Sequence, residues 1–150
     1  MNKKTTYCEH CDDLVDSYTT KKVRRTVTVL DYTFETDYIE AYCSICGARI
    51  NPNDVWVQND LLVFDTYRRH KGLLTSEEIK AIRKKRGLTQ VQLAQLIHCG
   101  EKNITRYETG TIQDKVFDLL IRLVDNDASY KVLKTMRINN GKQQHTSKSD

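Results

Sequence analysis

The sequence predicts an α+β chain: a small N-terminal β-hairpin domain, followed by an all-α helix-turn-helix domain. Three observations carry this expectation. Two Cys-x-x-Cys pairs, Cys8/Cys11 and Cys43/Cys46, bracket a segment in which valine alternates with polar residues. Thr75 and Thr89 each open a capping box, with Glu78 and Gln92 three residues on, and Gly87 and Gly110 follow as helix stops. Beyond residue 138 the chain turns polar. The expected division is residues 1–70 for the cysteine-bearing domain, 71–138 for the helical domain and 139–150 for a disordered tail.

In the first domain, Val23, Val27 and Val29 alternate with Arg24, Thr26 and Thr28, and Phe34, Thr36, Tyr38, Glu40 and Tyr42 form the returning strand. A bend near Leu30 to Thr33 brings the cysteine pairs together. Each Cys-x-x-Cys turn can supply two thiolates of a tetrahedral shell, so Cys8, Cys11, Cys43 and Cys46 are the expected ligands of one structural Zn²⁺. Gly47 suits the second turn, with backbone amides facing the sulfurs. A redox pair needs only one such motif and a βαβ context, and a catalytic zinc keeps one position open. His10 lies inside the first turn as an alternative ligand or a surface residue. Four thiolates on Zn²⁺ add about −2 to the charge.

Residues 51–70 suggest a turn at Asn51-Pro52 and a helix from about Asn59, with Leu62, Val63, Thr66 and Tyr67 inward and Trp56 packed nearby. Lys71-Gly72-Leu73-Leu74 reads as a short hinge.

Charge divides unevenly over the 150 residues: 1–70 carry a net −2 and 71–150 a net +6. Alone, a solvated basic face explains this as well as a nucleic-acid partner does. No stretch approaches the roughly 18 apolar residues of a membrane span, so no membrane association is expected. The N-terminus lacks an apolar signal region, which makes cytoplasmic location the expectation.

The helical domain begins at Thr75 and stops at Gly87, after Arg83-Lys84-Lys85-Arg86. A second helix starts at Thr89, and His98-Cys99-Gly100 forms the turn. A third runs from Glu101 to Thr109, with Ile104 and Tyr107 on one face and Lys102, Asn103, Thr105 and Arg106 on the other. Those donors suit phosphate oxygens and base edges in a major groove; Arg106 matches guanine and Asn103 adenine. Arg106 has an alternative, an ion pair with Glu108. Thr89 and Gln90 are expected on phosphate, and Lys84, Lys85 and Arg86 either join them or form a solvated face. Val116, Phe117, Leu119, Leu120, Ile121, Leu123 and Val124 give the next helix an apolar arc wider than one core needs, leaving a side for a partner subunit. Ser129 to Arg137 adds a last helix. Cys99 reads as a small buried hydrophobe.

LTQVQLAQLI followed by NITRYETG resembles a helix-turn-helix of the phage-repressor (Xre/Cro) class, with Gln90, Ala94, Ile104, Arg106, Tyr107 and Glu108 at the expected offsets. His98 stands where that class usually has glycine. Over residues 7–127, the cysteine module, YRRHKGLLTSEEIKAIRKKRGLTQ, GEKNITRYETG and DLLIRLVDND together resemble the zinc-finger/helix-turn-helix family that includes the MqsA (YgiT-type) antitoxins. The segment Cys8 to Asp12 lacks the glycine that often follows this knuckle in relatives. The resemblance implies a structural zinc, an N-terminal domain that grips a toxin, and a C-terminal domain that dimerises and represses its operon. The alternatives are a free-standing regulator and a protein-interaction module with no toxin partner. No catalytic residues are expected: the sequence offers no nucleophile–base pairing, phosphate loop or open metal site.

Overall fold

The computed structural model describes residues 5–143, with side chains described up to residue 137. The chain divides into two compact units, Met1–Lys71 and Gly72–Asp150.

The first unit is built on a long hairpin. Strands β1 (Thr6–Cys8) and β2 (Asp13–Val15) form a short antiparallel ribbon. Strands β3 (Tyr18–Val29) and β4 (Tyr32–Cys43) pair in register from Tyr18↔Cys43 to Val29↔Tyr32, and β5 (Arg49–Ile50) adds to the outer edge of β4. The two-residue turn Leu30-Asp31 places Leu30 at φ 52°. Along β3 the valine face is covered while Arg24, Thr26 and Thr28 stay exposed, as alternation requires. Along β4 the covered face changes: Phe34 and Thr36 are buried near the tip, Ala41 and Cys43 near the base. These residues have opposite parity, and the twist of a long two-stranded ribbon turns first one face and then the other towards the same neighbour.

That neighbour is α1 (Asn53–Lys71), which runs antiparallel along β4. Val55 lies in one cluster with Ala41, Cys43 and Ile50. Asn59, 4% exposed, takes the place of a paired strand residue: its Oδ1 accepts from the Ile39 N–H at 2.8 Å and its Nδ2 donates to the Ile39 carbonyl at 2.8 Å. Farther on, Thr66 meets Thr36 at 3.1 Å, and His70 packs on the rings of Phe34 and Tyr32. The helix starts at Asn53, earlier than the expected position near Asn59. Buried Pro52 accepts the first helical hydrogen bond, from Trp56 N at 3.0 Å, so the turn passes directly into the helix. Trp56 is 61% exposed, contrary to the expected packing. Several positions that α1 does bury are polar, among them Asn59, Asp65 and Arg68. An apolar-periodicity reading therefore misplaces its start and misses these residues, although the expected Thr66 and Tyr67 do face inward.

The second unit contains α2 (Ser76–Lys85), α3 (Gln90–Leu96), α4 (Asn103–Thr109), α5 (Lys115–Asp125) and α6 (Asp127–Gln143). Both expected capping boxes are formed, Thr75 with Glu78 and Thr89 with Gln92. Helix α2 ends in a Schellman turn, with Gly87 N bonded to Lys84 O and Leu88 N to Arg83 O. Helix α3 ends the same way through Cys99 N to Ala94 O at 3.0 Å, and His98 takes φ 57° in the place of glycine. The core comprises Leu74, Ile79, Ile82, Leu93, Ala94, Leu96, Ile97, Ile104, Tyr107, Ile121 and Val124, with Cys99 packed against it.

Residues 72–74 are fastened to α5: Asp118 accepts from Leu74 N at 2.8 Å, Gln113 donates to Leu74 O at 2.8 Å, and Arg122 donates to Gly72 O at 2.8 Å. Helix α6 extends beyond the expected Arg137 into the stretch read as tail. No proline interrupts it there, and each further residue adds one backbone bond to an existing helix. Residues 144–150 of the expected disordered tail lie outside the described residues. Among the described residues no helix is long and apolar enough to cross a membrane.

Candidate functional site

The long hairpin brings the two cysteine turns together. The sulfurs of Cys8, Cys11, Cys43 and Cys46 all lie within 4.8 Å of one another. The close pairs join one turn to the other: Cys8 Sγ to Cys46 Sγ at 3.6 Å and Cys11 Sγ to Cys43 Sγ at 3.9 Å. Both exceed a disulfide bond and approach the roughly 3.8 Å edge of a tetrahedron with metal–sulfur bonds of about 2.3 Å.

The two turns use one backbone device. The residue after the second cysteine is left-handed in each, Gly47 at φ 73° and Asp12 at φ 52°. The glycine missing from the first turn is thus replaced by aspartate, one of the few residues that enter this region readily. Asp12 also accepts a hydrogen bond from the Tyr7 hydroxyl. In the second turn Ile45 N donates to Cys43 Sγ at 3.4 Å. Main-chain N–H groups of Cys46 and then Ile45 lower the Cys43 thiol to about 7, while a hydrogen bond with Cys46 pushes Cys11 up to about 12. Four sulfurs this close cannot all carry negative charge without a cation among them. Cys8 and Cys43 are buried, Cys11 is half-buried and Cys46 is exposed. The set can hold a metal ion.

In the second unit the site is a helix surface. Ile104, wholly buried, and Tyr107, 6% exposed, seat α4 on the core, while Lys102, Thr105 and Arg106 are exposed and Asn103 is half-buried. Helix α4 has no side-chain N-cap, and it begins at Asn103, after the turn Gly100–Lys102, two residues later than expected.

Glu108 is committed elsewhere than to Arg106. Its carboxylate accepts from Arg83 Nε at 2.6 Å and Arg83 Nη2 at 3.0 Å, and from Gln90 Nε2 at 2.8 Å. Gln90 Oε1 in turn accepts from the Thr105 hydroxyl at 2.8 Å. Arg83, Gln90, Thr105 and Glu108 therefore form one network that fixes α4 on α2 and α3. Among the described residues Arg106 has no acidic partner, and its guanidinium faces solvent. Thr89 spends its hydroxyl on the Gln92 amide at 3.1 Å.

The basic run after Arg83 is also largely occupied. Lys85 pairs with Asp125 at 2.7 Å, and Arg86 pairs with Asp127 at 2.8 Å and donates to the last carbonyls of α5. Lys84 alone of the three has no acidic partner among the described residues. A run of like charge in sequence gives no signal of this, because its partners lie some 40 residues away.

Residues 76–125 match a family model described as a helix-turn-helix domain. No curated protein and no solved structure matches the chain. The helix-turn-helix domain marks the chain as a DNA-binding regulator, and its donor-bearing α4 lies inside the matched segment.

Proposed function

We propose that this chain is a sequence-specific transcriptional repressor and the antitoxin of a type II toxin–antitoxin pair. The observation that carries the DNA-reading part is the commitment of Glu108 to Arg83, which leaves Arg106 beside Lys102 and Asn103 on the open face of α4. In this reading Arg106 and Asn103 meet base edges, and Lys102 and Thr89 meet phosphates. Gln90 and Thr105 approach the same backbone through the network that orients α4. Two copies related by a twofold place their α4 helices in successive major grooves about 34 Å apart, on a palindromic operator.

The homodimer is proposed to form through the C-terminal helices. Val116, Leu119 and Leu123 of α5 are 66%, 57% and 36% exposed, and Val132 and Met136 of α6 are 58% and 61% exposed. Exposed apolar stripes of this kind favour a partner.

The ion proposed for the cysteine centre is a single zinc. Four sulfur donors and no open position suit a structural tetrahedral site, in which the metal cross-links the two turns. The N-terminal domain, residues 1–70, is the part proposed to bind the toxin, and the helical domain, 71–138, the part proposed to bind DNA in the cytoplasm. The support for the toxin partner is the resemblance to MqsA-type antitoxins.

Selection of bound duplexes from a random pool tests the DNA reading: a palindrome with half-sites one helical turn apart is expected, and recovery of unrelated sequences would overturn it. The antitoxin reading is tested by expressing the adjacent reading frame alone and with this chain. Toxicity relieved by co-expression is the expected result, and no toxicity would favour a free-standing regulator.

A further inference from the structure

We propose that the cleft between the α2–α3 turn, the end of α3 and the middle of α6 binds a small organic anion with an apolar body. The cavity is about 300 Å³ and is lined by Leu88, Leu96, Tyr130, Lys134 and Arg137. This is the lower end of the volumes that hold small ligands. Leu96 is 5% exposed and Leu88 and Tyr130 are half-buried, so the floor is apolar and set by the core behind it. The mouth carries the charge.

The state of those charges matters because they stand beside an apolar floor. Arg83, Lys85, Arg86 and Arg122 each pair with a carboxylate. Lys134 and Arg137, one turn apart on α6, have no acidic partner among the described residues. Among the described residues Arg137 donates to the neutral amide oxygen of Gln95, at 2.7 Å, and Lys134 Nζ lies 5.3 Å from the centre of the Tyr130 ring. The Arg86 guanidinium, 4.5 Å over the same ring, already serves Asp127 and two carbonyls. Two uncompensated positive charges therefore stand over an apolar floor.

A bare phosphate would use the cations and leave the leucines wet, and a hydrocarbon would fill the floor and leave the cations unmet. A carboxylate on a short aliphatic or aryl body satisfies both: its oxygens accept from Lys134 and Arg137, and its body covers Leu88, Leu96 and the Tyr130 ring. Such a ligand ties α6 to α3, the helix whose Gln90 holds Thr105 of α4. The cleft shares no lining residue with the cysteine centre or with the donor face of α4.

Sodium octanoate titrated into the full-length protein, with leucine and isoleucine methyl groups labelled for NMR, tests the proposal. Saturable shifts at Leu88 and Leu96 are expected, with a Kd at or below about 1 mM. Octylamine at the same concentrations should leave these methyls in place. Lys134→Glu combined with Arg137→Glu should weaken octanoate by roughly tenfold or more and admit octylamine. The buried methyls of Ile79 and Ile104 report that this variant is folded. No saturable shift at Leu88 and Leu96, an equal response to octylamine in the parent, or unchanged octanoate affinity in the folded variant would each overturn it.

Discussion

The two units of this chain reach a fixed structure from different starting materials. The helical unit closes an apolar core of eleven buried residues, supplied by all of α2–α5 and by Leu74 before them. The cluster at the base of the hairpin contains six buried residues, and two of those are Cys8 and Cys43. Much of the remaining burial in that unit is polar: Thr36, Asn59, Asp65 and Arg68, the last wholly enclosed and paired with Asp65 at 2.9 Å. Apolar burial contributes about 25 cal/mol per Å², and a small hairpin domain has little of it to set against chain entropy. Where the helical unit relies on side-chain packing, the hairpin unit carries four cysteines that can hold a metal ion, and the proposed zinc would cross-link it. The difference teaches that a metal-binding cysteine cluster and a hydrophobic core are alternative solutions to one deficit.

The sharpest way to break this contrast is to take away the proposed zinc. Cys43→Ser, or a strong chelator, is expected to unfold the first unit, since structural zinc sites contribute on the order of 10 kcal/mol. NMR amide dispersion should collapse for residues 5–71 and persist for 72–137. Joint loss in both units would refute the separation. A smaller effect is expected from Glu108→Ala, which strands Arg83 in a site where the two side chains are 13% and 4% exposed. Breaking a buried pair should cost the helical unit about 3–5 kcal/mol, read by urea unfolding, with the first unit unaffected.

Asp118→Asn sharpens the same contrast through pH. Burial alone would raise the Asp118 carboxyl, but hydrogen bonds from Arg122, the Leu74 amide and Gln113 outweigh it and hold it below the usual carboxylate range. A carboxyl depressed in the folded state contributes stability above its unfolded value, about 3.9, and that contribution is lost as pH falls through the folded value. The substitution should therefore destabilise the helical unit by about 2 kcal/mol at neutral pH, with the gap to the parent closing in acid. Equal gaps at both ends of the pH range would show that the charge is immaterial. The smallest structural effect belongs to Arg106→Ala: no change in thermal midpoint, with specific DNA binding weakened by about 1–3 kcal/mol. A gel-shift titration in which the variant matches the parent on the selected operator would remove Arg106 from the reading face.

Legibility in the sequence also differed between the units. Both capping boxes, the stop at Gly87 and the left-handed turn residue at His98 appear where local chemistry required them, because each is decided within five residues. The start of α1 was missed because its covered face is largely polar and carries little apolar period. Trp56 was read as core because spaced apolar residues usually are, yet it is 61% exposed. The fate of Glu108 was equally hidden: Arg106 is two residues away and Arg83 is twenty-five, yet the distant arginine holds the carboxylate. In a helix, residues two apart point to different sides, so Arg106 and Glu108 diverge while helix packing brings Arg83 in.

By itself, then, the sequence determined what is local or periodic: the strand alternation, the helix caps, the cysteine spacing and the donor types on α4. Tertiary structure alone decided which opposite charges meet, which of the basic residues stay free, and that the covered face of β4 changes along its length. The physical reason is range. Backbone conformation and capping are governed by neighbours a turn away, whereas burial and charge pairing depend on segments some 15 to 40 residues apart that only folding brings together.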